Sequence, residues 1–167
     1  HPNLESLDLW RLNLTGPTFD RYDNRFEKYS IDLKALANLK ALKSLNLGDN
    51  NLKLEQEECE IIFSLENLES LNLSLTYRNL FNKRQLKLNE TTFKRMKNLK
   101  HLNLSGNQIK LEGNCFKHLT QLIELDLSKT TFDSDKNEDH DIFSSLKQLE
   151  KFKFDDIERN DWFQLYR

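Results

Sequence analysis

The segment Asp133-Ser-Asp135-Lys-Asn137 carries oxygen ligands at alternate positions, as does the start of a calcium-binding loop. A loop of that type also needs glycine at its sixth position and a bidentate glutamate at its twelfth. Glu138 and Ser144 occupy these two positions. The sequence therefore favours a solvated acidic loop over a calcium site, and we predict no metal ion or other cofactor.

Other residues with catalytic or metal-binding chemistry are scattered along the chain. None of the four histidines is spaced from a second His or Cys as a zinc site requires. No nucleophile motif or Gly-rich phosphate loop occurs. We therefore predict that the protein is not an enzyme. Cys59 and Cys115 are expected to be buried free thiols, and a disulfide between them is the alternative.

Four N-x-S/T sequons could accept N-linked glycans, at Asn13, Asn72, Asn89 and Asn103. Those at Asn72 and Asn103 also arise from a recurring Leu-Asn-Leu-Ser sequence. Asn89, which lies between repeats of this sequence, and Asn13 are the predicted glycosylation sites. The sequons are weak evidence that the chain is secreted.

The element that must position any functional residue is the pattern Leu99-x-x-Leu102-x-Leu104-x-x-Asn107-x-Ile109, which recurs with variation. Alternation around Leu102 and Leu104 predicts a short strand with buried leucines and exposed residues between them. The Asn amide can bond backbone groups where the chain turns away from the strand. One such unit cannot bury its apolar side alone, so several must stack.

Six repeats are predicted, with first leucines at Leu4, Leu42, Leu68, Leu99, Leu122 and Leu149. The spacing varies from 23 residues (Leu99 to Leu122) to 38 residues (Leu4 to Leu42). Two repeats therefore carry insertions, which we place at residues 15–34 and 76–92. Because the first repeat starts almost at His1 and Trp162 to Arg167 resembles the beginning of a seventh, we expect residues 1–167 to be one domain from a longer solenoid.

An apolar pair precedes each repeat after the first, at helical spacing. We expect these pairs to lie opposite the strands and to face them across the core. The pairs are Leu36 and Leu39, Ile62 and Leu65, Phe93 and Met96, Phe116 and Leu119, and Phe143 and Leu146.

The two insertions differ in character. In the first, Phe19, Tyr22, Phe26 and Tyr29 have the spacing of one face of an amphipathic helix. That stripe would pack on the flank of the solenoid or offer an aromatic docking surface. The second insertion is basic from Tyr77 to Asn89, which suits a solvated loop or contact with an acidic partner.

The exposed strand residues form the predicted partner-binding surface. Trp10 is the one large aromatic residue among them and would anchor an interface, unless it packs on the first insertion. The complete predicted set is Asp8, Trp10, Asn46, Asn72, His101, Asn103, Glu124, Asp126, Lys151 and Lys153.

The run Phe116-Lys-His-Leu119-Thr-Gln-Leu122-Ile-Glu-Leu125-Asp-Leu127-Ser resembles the repeats of extracellular leucine-rich repeat proteins such as Toll-like receptor ectodomains. The resemblance covers nearly the whole chain. It implies an α/β leucine-rich repeat solenoid: a curved parallel sheet on the concave face, with helices, 3-10 turns and loops on the convex face. The candidate partner-binding residues would then lie on the concave face.

Composition restricts the partners. A net charge of −2, with 31% charged residues, gives no basis for binding nucleic acid, and no apolar run could cross a membrane. The leading hypothesis is a non-enzymatic recognition module of an extracellular or cell-surface protein, with innate immunity as its candidate setting, that binds a protein ligand or a like subunit. The alternative is an intracellular adaptor, regulatory scaffold or bacterial effector, located in the cytoplasm.

Overall fold

Short strands alternate with turns and helices along the chain. The computed structural model describes residues 3–12, 14–15, 29–30, 32–50, 52, 54, 56–76, 85–133 and 142–155. In chain order these form β1 (Ser6–Asp8), β2 (Leu14–Thr15), β3 (Tyr29–Ser30), a 3-10 helix (Leu33–Asn38), β4 (Ser44–Asn46), α1 (Gln56–Phe63), β5 (Ser70–Asn72), β6 (Leu86–Leu88), β7 (His101–Asn103), β8 (Gln108–Leu111), β9 (Glu124–Asp126), β10 (Thr131–Asp133) and β11 (Lys151–Lys153).

One parallel sheet contains the predicted strand of every repeat, in the order β1, β4, β5, β7, β9, β11. The central residues are paired in register from each repeat to the next. They are Leu7, Leu45, Leu71, Leu102, Leu125 and Phe152. Consecutive repeats therefore present equivalent residues side by side, which confirms the predicted solenoid.

The core lies between this sheet and the apolar pairs that precede the strands. Leu45, Leu71, Leu102 and Leu125 are at most 1% exposed. All ten residues of the apolar pairs are buried or half-buried, as the spacing predicts. Four phenylalanine rings run through this layer, and the centroid distances are 5.1 Å from Phe63 to Phe93, 5.9 Å from Phe93 to Phe116 and 5.8 Å from Phe116 to Phe143.

Helices form ahead of only two strands in the described residues. The 3-10 helix contains Leu36, and α1 contains Ile62, whereas Phe93, Phe116 and Phe143 lie in turns. Asp32 caps the 3-10 helix, because its side chain accepts a hydrogen bond from the Lys34 N–H at 3.0 Å.

A second parallel sheet, in the order β10, β8, β6, includes residues of the second insertion. Leu86 and Leu88 of β6 are at most 1% exposed and pair with Ile109 and Leu111 of β8. The interpretation of residues 76–92 as a loop is therefore wrong at β6. Alternation of Leu86 and Leu88 with the exposed Lys87 suits a strand, and the strand forms because a partner from the next repeat lies beside it.

The first insertion also returns to the solenoid as a strand. Tyr29–Ser30 pairs in parallel with Leu14–Thr15, so the predicted helix is wrong at Tyr29, where the backbone is extended. Aromatic residues favour strands when a partner strand is present, and β2 provides one. The other three residues of the aromatic stripe, Phe19, Tyr22 and Phe26, lie outside the described residues.

The chain turns away from the first five strands of the six-strand sheet through a residue in the left-handed region of the backbone. Its φ is 55° at Arg11, 55° at Asp49, 53° at Leu75, 68° at Gly106 and 56° at Lys129. These residues stand at the same position in successive repeats, three residues after each strand ends. The turn is therefore imposed by the repeat, even where the residue is not glycine.

Buried polar residues follow this turn, as predicted. Asn50 donates from Nδ2 to the Leu47 and Leu9 carbonyls at 3.0 and 2.8 Å, so it joins its own repeat to the preceding one. Asn107 does the same with Leu104 and Leu73, both at 2.8 Å. Thr76 and Thr130 keep part of the pattern through their hydroxyl groups. In the first repeat Leu12 holds this position and is 49% exposed.

Candidate recognition surface

The candidate site is the strand face, which we define as the side of the six-strand sheet opposite the core. Residues on either side of the central Leu or Phe form two rows across it. The first row is Ser6, Ser44, Ser70, His101, Glu124 and Lys151, and the second is Asp8, Asn46, Asn72, Asn103, Asp126 and Lys153. Nine of the ten predicted partner-binding residues lie in these rows, and Trp10 follows β1 by two residues.

The second row contains a repeated hydrogen bond to the backbone. Asp8, Asn46, Asn72, Asn103 and Asp126 each accept at Oδ1 from the N–H two residues further on, at 2.9 to 3.2 Å. This local bond satisfies an N–H group where the strand ends. Asn and Asp at these positions are therefore explained by the turn, and only their remaining polar atoms are left for a partner.

A hollow of about 310 Å³ brings six of the predicted residues together. Asn72, His101, Asn103, Glu124, Asp126 and Lys153 line it, together with Ser70, Leu71 and Leu102. The hollow exists because β5, β7, β9 and β11 place these side chains in register on one side of the sheet. Asp8, Trp10 and Asn46 lie on the other half of the strand face, and Lys151 flanks the hollow on β11.

Glu124 is the electrostatic centre of the hollow. Its carboxylate lies 2.7 Å from the Lys153 Nζ and 3.5 Å from the His101 Nδ1. The hydrogen bond from Lys153 lowers the pKa of Glu124, and the same bond raises the pKa of Lys153. The hollow therefore holds an ionised Glu124–Lys153 pair at neutral pH, beside the carboxylate of Asp126.

Ion pairs also join the residues that precede the strands. Lys43 Nζ lies 2.9 Å from Glu5, and Lys100 Nζ lies 2.7 Å from Glu69. The hydrogen bond that Lys43 donates to Glu5 raises the pKa of Lys43, and the bond that Lys100 donates to Glu69 lowers the pKa of Glu69. All four side chains are well exposed, so these pairs contribute little to stability.

Trp10 is exposed at the β1 end of the strand face. Its side chain is 49% exposed, and the Arg11 guanidinium lies 5.7 Å from the ring centroid. The parallel pairing of β1 with β4 continues beyond the ends of the two strands. There the Leu9 N–H donates to the Asn46 carbonyl and the Arg11 N–H donates to the Gly48 carbonyl. Trp10 is therefore placed beside Gly48.

The sequons occupy different environments. Asn89 is exposed before a turn, and its Oδ1 accepts from the Thr91 N–H and the Thr91 hydroxyl at 2.9 and 2.7 Å. Asn72 and Asn103 are half-buried on the strand face. Asn13 lies outside the described residues, as does the acidic segment from 134 to 141. Only Asn89 is thus placed as an exposed acceptor in the described chain.

The two cysteines lie on the other side of the core. Cys115 is buried and Cys59 is half-buried, and neither forms a disulfide. Burial raises the pKa of the Cys115 thiol to about 12. Cys59 lines a groove of about 900 Å³ between α1 and β6, with Phe63, Arg95 and Asn89 among its neighbours. In the described residues no three His, Cys, Asp or Glu side chains are grouped to hold a metal ion.

The family comparison agrees with this geometry. Residues 79–132 match the family model described as leucine rich repeat. This range therefore consists of leucine-rich repeats, and the strands on both sides of it continue the same six-strand sheet. No curated protein matches the chain. Among solved structures, an internalin C2 from Listeria monocytogenes is 20% identical with a TM-score of 0.45, over 77% of this chain and 61% of that one.

Three residues at or near the candidate site were absent from the predicted set. Ser70 lines the hollow, and Gly48 and Ser74 lie beside Asn72. Ser70 stands in the first row, and Gly48 and Ser74 are buried residues that follow the second row by two positions. Their register was therefore available from the sequence, whereas their proximity to other polar groups was not.

The part of the chain that the structure describes has no helix long and apolar enough to cross a membrane.

Proposed function

We propose that this leucine-rich repeat chain is a non-enzymatic module that binds a protein partner through the strand face. The observation that carries the proposal is the hollow on β5, β7, β9 and β11. There His101, Glu124, Asp126 and Lys153 are partly exposed and lie together, although none of them is needed for the core. Leucine-rich repeat domains typically bind proteins, and a regular sheet holds such side chains rigidly for a partner.

Charge pairing in the hollow gives the interface its specificity. Glu124 is compensated by Lys153, whereas Asp126 uses one carboxylate oxygen for the Ser128 N–H at 3.0 Å. A partner with a basic side chain opposite Asp126 and an acidic group opposite Lys151 would match these charges. Complementary charges favour the correct partner mainly by excluding wrong ones and by speeding encounter.

The test exchanges the ion pair in the hollow. A Glu124→Lys/Lys153→Glu double variant keeps a pair but reverses its direction. The partner would be captured from the source tissue with the full chain, purified, and titrated by calorimetry. We expect affinity to fall at least about 10-fold, because one desolvated contact is worth about 1.4 kcal/mol or more.

The matched control is the Lys34→Glu/Glu57→Lys variant. That pair is 3.0 Å long and exposed, and it joins the 3-10 helix to α1, away from the strand face. Affinity should be unchanged in this control. Equal affinities for the two double variants would contradict the proposal, whether the partner is a different protein or a second copy of the chain.

We further propose an extracellular or cell-surface location, with an N-glycan on Asn89 and a receptor-like role in innate immunity. The exposed position of Asn89 before a turn supports the glycan, and the type of repeat supports the role. The alternative is a cytoplasmic adaptor or effector, which the free thiols favour. Intact mass before and after N-glycan removal, in native protein and in an Asn89→Gln variant, distinguishes the two locations.

A further inference from the structure

From the edge of the charged hollow towards β4, the strand face holds unused hydrogen-bonding groups, and two of the residues that carry them, Asn72 and Ser70, also line the hollow. Oδ1 of Asn46 and Oδ1 of Asn72 accept from backbone N–H groups at 3.2 and 2.9 Å. Within the described residues their Nδ2 groups have no hydrogen-bond partner, and neither do the hydroxyls of Ser44 and Ser70. Amide donors on adjacent parallel strands are thus left for a ligand, and neighbouring strands of a sheet are about 4.8 Å apart.

Ser74 makes this surface more than a regular row of small residues. It is only 9% exposed, and its hydroxyl has no hydrogen-bond partner among the described residues. A Cβ built on Gly48 would lie 2.6 Å from Ser74 Oγ and 2.8 Å from Asn72 Nδ2. The hydroxyl and the amide therefore converge at Gly48, where any other residue would displace them. A nearly buried hydroxyl without a protein partner costs free energy unless water or a ligand satisfies it.

Trp10 adds an apolar surface beside these donors. Trp10 lies opposite Gly48, where the pairing of β1 with β4 continues beyond the strands, and the residue is about half exposed. We define the neutral patch as Trp10, Ser44, Asn46, Gly48, Asn72 and Ser74. None of its six residues is ionisable, and its apolar area is confined to one indole ring. Asp8, which pairs with Asn46, and the Arg11 guanidinium, which lies over the indole ring, border the patch.

This chemistry points away from a second protein contact of the charged type. We propose that the neutral patch binds a neutral oligosaccharide. Amide and hydroxyl groups would bond the sugar hydroxyls, and the indole would pack against the C–H face of a pyranose ring. The strand spacing of about 4.8 Å is similar to the length of one sugar unit, so successive strands could contact successive units.

The experiment uses Trp10 fluorescence in the full chain. The chain has two tryptophans, and a Trp162→Phe background leaves Trp10 as the only reporter. The probes are cellohexaose, laminarihexaose, chitohexaose and mannohexaose, each titrated to about 10 mM with calorimetry in parallel, a range that detects a Kd of about 1 mM. We expect at least one hexasaccharide to shift the Trp10 emission and to release heat with the same Kd.

Two variants separate the patch from the fold. Asn46→Asp keeps the Oδ1 acceptor, as Asp8 and Asp126 do in other repeats, but replaces the donor with a carboxylate. It should weaken binding at least about 10-fold, or about 1.4 kcal/mol, and leave the melting temperature unchanged. By calorimetry Trp10→Ala should also abolish binding, whereas Leu12→Ala, which removes an equally exposed residue, should not.

Three outcomes would overturn the proposal. The first is that none of the four hexasaccharides binds. The second is that Asn46→Asp or Trp10→Ala binds as tightly as the parent chain. The third is that the Glu124→Lys/Lys153→Glu variant, whose residues lie outside the neutral patch, loses as much saccharide affinity as Asn46→Asp. Asn72 belongs to both sites, but the variants that test them share no residue, so the two proposals can fail independently of each other.

Discussion

Side chains on the strand face divide their polar atoms between structure and recognition. In Asn46, Asn72 and Asn103 the carbonyl oxygen completes a turn, and the NH₂ group is left over. The turn of the repeat therefore explains why Asn stands at these positions, but the turn uses only one of the two polar groups of the side chain. Substitution of Asn by Asp is the sharpest probe of such a position, because it changes only the second group.

At the residue scale, the Glu124–Lys153 pair gives a prediction about acid titration. Lys153→Gln removes the main cause of the lowered Glu124 pKa, so that pKa should rise towards its ordinary value. Because a lowered pKa in the folded state stabilises the fold above the unfolded pKa, this stabilisation is lost as pH falls through the folded value. NMR titration of the Glu124 carboxyl measures the shift.

Lys151→Gln is the control for that titration. Lys151 acts on Glu124 only through charge and is the weakest of the causes that lower its pKa. The control should therefore move the pKa of Glu124 less than Lys153→Gln does. An equal or larger change would show that the hydrogen bond between Glu124 and Lys153 does not dominate the site.

The buried asparagine after each turn gives a second prediction at this scale. Asn107→Leu removes the Nδ2 bonds to the Leu73 and Leu104 carbonyls, which keep the bonds from the Thr76 and Thr130 hydroxyls at 2.8 and 3.3 Å. At about 1 kcal/mol for each of the two lost bonds, the free energy of unfolding should fall by about 2 kcal/mol. Urea denaturation of the two proteins measures it. Asn98→Ala, which removes one exposed bond to the Glu66 carbonyl, should cost less than about 1.5 kcal/mol.

At the scale of elements, the strand register and the buried rows could be read from the sequence because both follow from local periodicity. Leu102 and Leu104 recur with fixed neighbours, so every equivalent residue is known once the repeats are aligned. Strands β3 and β6 could not be read in this way. Each is two or three residues long and forms through pairing with β2 or β8, so it has too little periodicity to stand out within an insertion.

The same limit applies to the candidate site. Alignment of the repeats placed all ten predicted residues on or beside the exposed strands. It did not show which of them lie together, since the hollow depends on side-chain positions in four strands. Nor did it show that Ser74 and Asn72 converge at Gly48. Contacts between side chains of different repeats need the three-dimensional spacing, which periodicity alone does not give.

The phenylalanine row carries a prediction at this scale. Phe93 is fully buried and contacts the rings of both Phe63 and Phe116. Phe93→Ala should lower the free energy of unfolding by about 3–5 kcal/mol, because it opens a cavity between two neighbouring rings. Phe154→Ala removes a half-buried ring outside this row, which contacts Phe152 of β11, and should cost less. Thermal and urea denaturation measure the stability of both variants. A larger loss of stability in Phe154→Ala than in Phe93→Ala would contradict the prediction.

At the scale of the whole molecule, each repeat is stabilised by its two neighbours. The central leucines of β4, β5, β7 and β9 are at most 1% exposed, whereas Leu7 of β1 and Phe152 of β11 are half-buried. Those two strands lie at the ends of the six-strand sheet. Stability in such a stack is approximately a sum of repeat and interface contributions, so it should decline towards both ends.

Hydrogen exchange in the native state tests this gradient directly. We expect the slowest amide exchange in β5 and β7, which have two paired strands on either side, and faster exchange in β1 and β11, which open with less loss of apolar contact. The gradient bears on recognition, because the charged hollow extends to β11 and the neutral patch begins at Trp10 beside β1. A ligand at either site should therefore slow exchange most in the end strand that it contacts. Uniform exchange across the six strands would instead indicate that the solenoid opens as one cooperative unit.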